Sequence, residues 1–425
     1  MEQRRTVSFF VAVLIIINLV IGSGIFINLI PFLTQGYTGN FLIYLLGGLI
    51  QLPVVITLAR LASAHPDNGG LYVYAKRYIS PFAGFLAGWT YFVGKSISVG
   101  LMAHVFMQVM QSFIPALHVF PLLFLDACFL TFVVLANVLG VSIQGKAQKV
   151  LILTKVLPVV TVFLILWWKG GQRPLTFDGI GLHSVGELLP IAVFATVGFE
   201  VMCSIAHMVK NPKENLVKIM VTGFGVVVAL ITLFQCVVNL LLPQAASYSF
   251  PLGSIAHLHG LSALAPYAYI CVYLSIIGGA FSILTTNCWN LFALAENGHL
   301  PGACYITKLT KEEIPWVSLV IEAVIAFLGI SMMQEQVALQ RMAVFGMVLS
   351  FVCASLAALR ARRHAAAIVS PVVASLALLS SGGLALWILK GIYEVGISLP
   401  YLCIYFVGVL LAIYQARAAK NKRLC

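Results

Sequence analysis

Charged side chains are scarce in this sequence: Asp, Glu, Lys and Arg make up only 9% of its 425 residues. A soluble domain contains about 25% of these residues, whereas here hydrophobic residues reach 61% and the mean hydropathy is +1.02. Long polar segments are also lacking, which excludes a separate soluble domain. The composition therefore predicts one membrane domain that fills residues 1–425.

The motifs of several chemistries are missing as well. The nine Cys and nine His residues form no Cys-x-x-Cys pair or metal-ligand spacing, so we expect reduced, buried cysteines and no metal site. The sequence has no Walker A motif, and the apolar segments contain no Ser-His-Asp set or paired carboxylates. We therefore expect no catalytic residue and no cofactor. The net charge of +12 is divided among short loops, so no nucleic-acid partner is expected.

Apolar segments long enough to cross about 30 Å of hydrocarbon recur along the whole chain. The first one exceeds a signal peptide and lacks a cleavage site, so it is expected to stay as a helix. If the N-terminus is inside, only Lys169, Arg173, Arg341 and Lys390 of the 25 basic residues lie outside, which places both termini in the cytoplasm. The sequence predicts twelve spans, at about 7–31, 38–62, 81–113, 119–140, 147–168, 185–208, 216–242, 263–295, 315–334, 341–359, 368–389 and 397–416.

The first apolar segment contains Gly22-Ser23-Gly24 near its centre. An unpaired backbone group costs several kcal/mol in lipid, so an unwound turn is tolerated only where it faces protein or a wet cavity. Free N–H groups at such a turn attract a carboxylate, and free C=O groups attract an ammonium. A zwitterion satisfies both. The alternative is that the small residues only allow close helix packing.

A second interruption is predicted in the sixth segment, where Thr196, Gly198 and Glu200 lie in mid-span. Five helices are an odd number, so a second copy of a five-helix unit enters the membrane inverted and the two breaks meet at its midplane. Paired interruptions in corresponding positions of two halves indicate the binding site of a transporter. The sequence therefore predicts that the broken helices hold a small dipolar solute.

Four segments carry a resemblance to a known family. GSGIF (Gly22–Phe26) resembles the first helix of the amino acid–polyamine–organocation (APC) permeases, and DNGGLYVYAKRYISPFAGFLAGW (Asp67–Trp89) resembles their loop before helix 3. VFATVGFE with VKNPKENL (Val209–Leu216) is similar to helix 6 and its following loop, and LFALAENGHLP (Leu291–Pro301) to the end of helix 8. Because His207-Met208 and Glu296-Asn297 depart from the family pattern, no gating ion pair is carried over.

The resemblance implies the leucine-transporter fold. This is an all-α polytopic membrane protein with a 5+5 inverted repeat and discontinuous helices 1 and 6. Repeat one would cover about 7–168, repeat two about 185–359, and two additional helices about 368–416. The resemblance also implies substrate-binding positions, with Phe194 closing the site from outside: Ile21, Gly22, Ser23, Gly24, Ile25, Tyr91, Lys95, Phe194, Ala195, Val197 and Gly198.

Ionisable residues within apolar segments are expensive and therefore functional candidates. The resemblance implies that the ammonium of Lys155 replaces the sodium ion of sodium-coupled relatives, either as a proton carrier or as a fixed strut. Glu200 either serves gating and proton transfer or bonds loose backbone N–H groups. Lys95, one turn after Tyr91, either contacts substrate or pairs with Glu200 or Glu322. Packing roles are expected for Glu322 and Asp126, and His104 is expected to be a hydrogen-bonded core imidazole.

These features predict a secondary active transporter of amino acids or related amines. It would work by alternating access, as a sodium-independent proton symporter or exchanger. The main alternative is an amino-acid sensor that retains the pocket without transport, and an ion channel and a membrane enzyme also compete. The expected partners are a small amino acid and the lipid bilayer, with the protein a monomer or homodimer in a bacterial inner membrane.

Overall fold

The computed structural model describes residues 7–20, 24–35, 37–66, 70–139, 146–177, 180–242, 251–361, 368–394, 403–411 and 413. Its α-helices are α1 (Phe9–Val20), α2 (Gly24–Ile27), α3 (Leu29–Thr34), α4 (Leu42–Ala64), α5 (Gly70–Tyr78), α6 (Pro81–Phe113), α7 (Leu122–Val138), α8 (Lys146–Lys169), α9 (Leu182–Thr196), α10 (Val201–Ser204), α11 (Pro212–Leu241), α12 (Pro251–Leu258), α13 (Ala265–Glu296), α14 (Ala303–Ile306), α15 (Trp316–Met332), α16 (Gln336–Ala361) and α17 (Pro371–Glu394). Residues 403–411 are also helical.

The described part of the chain contains eight helical segments that are long and apolar enough to cross a bilayer. Three shorter apolar helices accompany them, at Leu122–Val138, Val156–Lys169 and Trp316–Met332. These helices support the predicted helical, polytopic membrane architecture, whereas the number of twelve spans and the inverted repeat stay predictions. The long segments are Phe9–Ile27, Thr38–Ala64, Pro81–Phe113, Leu182–Ser204, Pro212–Leu241, Ser262–Glu296, Gln336–Ala361 and Pro371–Tyr393.

Helix α6 is the central element of the bundle. Its N-terminus is capped by Ser80, whose hydroxyl accepts the N–H of Ala83 at 3.1 Å, with a proline as the first helical residue. At 33 residues it is about 50 Å long, more than an upright crossing needs. It packs against α5, α13, α15 and α16. Gly94 and Gly100 allow this approach, because a Cβ on either would lie 2.6 Å from a carbonyl oxygen of the neighbouring helix.

Helices α5 and α12 lie where the sequence predicted only connections. The segment resembling the loop before helix 3 forms α5, which packs on α6 and buries Tyr74 completely. Helix α12 lies between the seventh and eighth predicted spans. Hydropathy did not indicate either helix, because both are too short to cross a membrane and α5 carries Lys76 and Arg77 in its last turn.

The bundle has two ends that matter for the site. At one end Val7 forms an isolated parallel bridge with Val209: the N–H of Val7 donates to Met208 O at 3.0 Å, and the N–H of Lys210 donates to Val7 O at 2.9 Å. We call this end the Val7 face. At the other end, here called the Thr38 face, the Thr38 hydroxyl donates to the carbonyl of Pro174 at 2.9 Å.

Candidate functional site

The predicted interruption of the sixth segment is present. Helix α9 ends at Thr196, and α-helix resumes at Val201. Gly198 has a φ of +141°, which favours glycine. In a continuous helix the N–H of Gly198 would donate to the carbonyl of Phe194, but here it donates to Glu200 Oε2 at 2.7 Å. The carboxylate of Glu200 therefore accepts the N–H that would otherwise have continued the hydrogen bonding of the helix.

The second oxygen of Glu200 joins α6 to this break. Oε1 accepts the hydroxyl of Tyr91 at 2.9 Å and lies 2.9 Å from Lys95 Nζ. Lys95 is 8% exposed and Glu200 is 2% exposed, so the ion pair is buried. Pairing removes the large cost of an uncompensated buried charge. The sequence left the partners of Lys95 and Glu200 open. In the structure Lys95 pairs with Glu200, and Glu200 accepts the backbone N–H of Gly198 that the interrupted helix leaves unpaired.

Tyr91 and Lys95 lie on one face of α6, as their spacing predicted. The ammonium of Lys95 lies 5.5 Å from the centre of the Tyr91 ring, within cation–π range. Gln51 of α4 also contacts the break: its side-chain amide donates to Thr196 Oγ1 at 2.5 Å. The end of α9 is thus fixed by side chains from α4 and α6.

A cavity of about 1230 Å³ opens at the break. Predicted site residues from three spans line it together: Gly24, Tyr91, Lys95, Phe194, Ala195, Val197 and Gly198. Ile25 is buried but is not among the lining residues, and Glu200 lies behind Lys95 and Gly198. Ile21, Gly22 and Ser23 lie outside the described residues, as does the side chain of Lys155.

Sequence reasoning missed part of the cavity wall. Helix α6 continues its stripe beyond Lys95 with Ser98 and Met102, at the three- and four-residue spacing of one helix face. This spacing could have identified Ser98 and Met102 as cavity residues from the sequence. Helix α13 contributes Ile283, Asn287 and Asn290, again spaced by four and three. Two amides on one face of an apolar helix were a second signal, since polar side chains in a span usually face the interior.

The cavity extends to the Val7 face. Its mouth is lined by Lys76, Arg77, His207, Glu296 and Asn297. The ammonium of Lys76 donates to Asn297 Oδ1 at 2.7 Å, which joins α5 to the end of α13. Burial lowers the pKa of the His207 imidazole.

A second contact joins α5 to the segment after α13. The hydroxyl of Tyr72 lies 3.0 Å from Nε2 of His299. Burial lowers the pKa of the His299 imidazole, and the ammonium of Lys76 lowers it further. His299 therefore favours its neutral form beside the mouth.

Polar contacts join several segments at the Thr38 face. The Gln35 amide donates to Glu187 Oε2 at 2.7 Å, which ties the segment after α3 to α9. Asn239 of α11 donates to Asn40 Oδ1 at 2.7 Å and to the carbonyl of Thr38 at 2.9 Å. The described residues that line the cavity include the mouth at the Val7 face and none of these Thr38-face residues.

The remaining ionisable residues of the described spans lie outside the cavity wall. His104 Nδ1 lies 2.8 Å from Asp126 Oδ2, and its Nε2 lies 3.0 Å from Gln108 Nε2, which confirms a hydrogen-bonded core imidazole. Glu322 is fully buried and accepts the amide of Asn287 at 2.8 Å. Within the described ranges, no group of three or more His, Cys, Asp or Glu side chains could hold a metal ion.

Comparison with known proteins gives one family and several relatives. The family model described as amino acid permease matches residues 11–422. An uncharacterized transporter of Mycobacterium bovis is 26% identical over 335 residues, covering 77% of this chain and 74% of the relative. A serine/threonine exchanger of Bacillus subtilis is 26% identical and covers 53% of each chain. A gamma-aminobutyric acid permease of Escherichia coli is 23% identical over 73% of this chain and 69% of its own length.

Proposed function

The chain belongs to the amino acid permease family, and on this premise we propose that it is a secondary active transporter of an amino acid or related amine. The observation that carries the proposal is the cavity at the interrupted sixth span, whose described lining residues include the Val7 face and none of the residues named at the Thr38 face. A site lined in this way is what one of the two states of alternating access requires. The proposal assigns no catalytic residue, cofactor or metal.

The proposed substrate contacts follow the charges of a zwitterion. The carboxylate binds the N–H groups of Ser23, Gly24 and Ile25, near the start of α2. The ammonium binds carbonyls near Ile21, Phe194, Ala195 and Val197, and Gly22 and Gly198 provide the turns. Support comes from the diverted Gly198 N–H, which leaves the carbonyl of Phe194 without its helical donor.

The two predicted breaks also lie close together. A Cβ built on Gly24 would be 3.5 Å from the Cα of Ala195 and 3.7 Å from the ring of Phe194. The start of α2 therefore meets the end of α9. This proximity supports a single substrate site between the first and sixth spans, with Phe194 as its gate on the Thr38 side.

The coupling is proposed to be sodium-independent, by proton symport or by exchange. Lys155 belongs to α8, the fifth predicted span, and its ammonium would take the place of a sodium ion, as a proton carrier or a strut. Glu200 remains a proposed gating residue, since it bonds both the break and Lys95. The Val7 face would be cytoplasmic in a bacterial inner membrane, and the 5+5 inverted repeat would relate the two halves.

Reconstitution tests this function. Purified protein is placed in liposomes preloaded with mixed amino acids, and uptake of labelled external amino acids is followed with and without a proton gradient, in sodium-free buffer. Saturable exchange or gradient-driven uptake is expected. Binding of an amino acid without any flux would indicate the sensor instead. Lys155→Ala should abolish or uncouple pH-dependent uptake, and unchanged pH dependence would leave Lys155 as a strut.

A further inference from the structure

The charges on the described cavity wall are unevenly distributed. Lys76, Arg77 and Glu296 are lining residues of the mouth. Glu296 lies about 14 Å further along the α13 axis than Asn287. At the break itself, Lys95 is the one charged side chain among the described lining residues.

This single charge is already neutralised. The ammonium of Lys95 lies 2.9 Å from Glu200 Oε1, which also accepts the hydroxyl of Tyr91. The other oxygen of Glu200 accepts the N–H of Gly198. Both oxygens of the carboxylate are therefore engaged. Among the described residues, the wall at the break consists of uncharged groups and Lys95, whose charge is compensated by Glu200 behind it.

We propose that the site selects amino acids whose side chain carries no net charge, with the Lys95–Glu200 ion pair as the selectivity determinant. This inference rests on the proposed transport function. The substrate class is a zwitterion with an uncharged side chain, polar or apolar. Ser98 and Asn290 offer hydrogen-bonding groups to such a side chain, and Met102, Ile283 and Met347 offer apolar contacts.

A negative or a positive charge on the side chain of the substrate disturbs the Lys95–Glu200 ion pair. An acidic side chain that binds Lys95 has to share the ammonium with Glu200, so that two buried carboxylates compete for one cation. Withdrawal of Glu200 also releases the N–H of Gly198 and so disturbs the break that holds the substrate. A cationic side chain meets the ammonium of Lys95 before it reaches Glu200, because Glu200 lies behind the wall. An uncharged side chain meets neither difficulty.

Pairs of compounds that differ mainly in charge test the inference. Proteoliposomes are preloaded with asparagine, aspartate, glutamine, glutamate, citrulline or arginine, and uptake of the same labelled compound is measured, with serine and leucine as uncharged references. The fastest uncharged compound should exchange at least about tenfold faster than aspartate, glutamate or arginine, as expected for an uncompensated charge in a buried site. Comparable exchange of any of these three would overturn the inference.

Removing one partner of the ion pair should change selectivity in opposite directions. Lys95→Met leaves Glu200 unpaired, so the exchange ratio of arginine to citrulline should rise about tenfold or more. Glu200→Gln keeps an acceptor for the Gly198 N–H but leaves Lys95 unpaired, so the ratio of glutamate to glutamine should rise instead. The double variant Lys95→Met/Glu200→Gln should again prefer uncharged compounds.

Asp126→Asn is the matched control, since Asp126 forms a buried contact with His104 that does not line the cavity. Its exchange ratios should equal those of the wild type. Single variants with unshifted ratios would overturn the role of the ion pair, and if a variant does not fold, the wild-type comparison still decides the selectivity. Absence of exchange with every compound would contradict the proposed function, whereas rapid exchange of a charged compound would contradict only this inference.

Discussion

Gln340 of α16 donates its side-chain Nε2 to Oδ1 of Asn28 at 2.6 Å, and Asn28 donates its own Nδ2 to the carbonyl of Ile191 at 3.1 Å. Both amide side chains are fully buried. The contact joins the helical run that begins with α2 to α9 and α16. Movement of α2 and α3 away from α9 therefore requires these hydrogen bonds to break.

Asn28 and Gln340 should be energetically coupled. Asn28→Leu or Gln340→Met alone leaves a buried amide without its partner and should reduce the free energy of unfolding by about 1–3 kcal/mol. The double variant should lose less than the sum, because neither orphaned side chain remains. Thermal unfolding in detergent measures this cycle.

Gln336→Met is the matched control for that cycle. Gln336 lies one turn before Gln340 and donates to the carbonyl of Ile27 at 2.8 Å, without a hydrogen bond to Asn28. Its effect should add to that of Asn28→Leu. Full additivity of Asn28→Leu with Gln340→Met would show that the two amides do not act together.

Gly198 and Gly24 line the same cavity but should tolerate substitution differently. Alanine at Gly198 would retain a φ of +141° and place a Cβ 2.9 Å from Val20 Cγ2. Gly198→Ala should therefore lose about 1–3 kcal/mol of unfolding free energy and most exchange activity. Gly24→Ala meets its nearest atom at an ordinary 3.5 Å and should fold normally.

Gly24→Val separates folding from binding at the same position. The branched side chain extends toward the ring of Phe194, 3.7 Å from the Cβ position, so substrate binding should be lost while the protein still unfolds cooperatively. Binding of a labelled amino acid by purified protein gives the readout. Undiminished binding by Gly24→Val would show that the substrate site is misplaced.

Acidification should reduce the stability of the protein through His299, beside the mouth of the cavity. Burial lowers the pKa of His299 from its usual 6.5, with a further contribution from Lys76. The folded protein thus binds this proton less readily than the unfolded chain, so stability is complete above about pH 6.5 and falls as the pH decreases below it. Melting temperatures between about pH 7.5 and 5 should show this fall.

Two variants assign the acid effect to His299. His299→Gln should flatten part of the pH dependence, since the titrating group is gone. Lys76→Met removes the second cause of the shift, so the loss of stability on acidification should become smaller. If the melting temperature of His299→Gln follows the same pH profile as the wild type, His299 does not contribute to the effect.

Gly346, the one glycine of α16, should tolerate substitution poorly. A Cβ there would lie 2.5 Å from the carbonyl oxygen of Thr90 and 2.6 Å from the hydroxyl of Tyr405. Gly346→Ala should reduce stability by about 1–3 kcal/mol through overpacking against α6. Gly382 of α17 has nothing within 4 Å of its Cβ position, so Gly382→Ala is the control and should be neutral or slightly stabilising. Equal melting temperatures of Gly346→Ala and Gly382→Ala would contradict the close packing at Gly346.

Sequence reasoning reached the helical character of the chain, the interruption after Thr196 and the shared face of Tyr91 and Lys95. Each of these depends on local periodicity or on a residue type that a helix in lipid does not tolerate. The partner of Lys95 stayed open between Glu200 and Glu322, because only tertiary packing decides which carboxylate α6 approaches. The amide contacts of Gln51 and Asn28 were missed for the same reason.

Helices α5 and α12, which the sequence did not predict, show a different limit. Helix α5 is held by its packing on α6 and contains Lys76 and Arg77, so its apolar content did not distinguish it from a loop. Of the predicted break at Gly22-Ser23-Gly24, Gly22 and Ser23 lie outside the described residues, and Gly24 is the first residue of α2. The contacts of Gly24 with α9 are the structural observations that bear on it.

The bridge between Val7 and Val209 has a mechanical consequence. Two backbone hydrogen bonds fasten the residue just before the first span to the segment just after α10. The halves of the first and sixth spans at the Val7 face are therefore linked, and movement of one requires either movement of the other or loss of these two hydrogen bonds. A rigid protein fused immediately before Val7 would therefore restrict the movement of both linked segments.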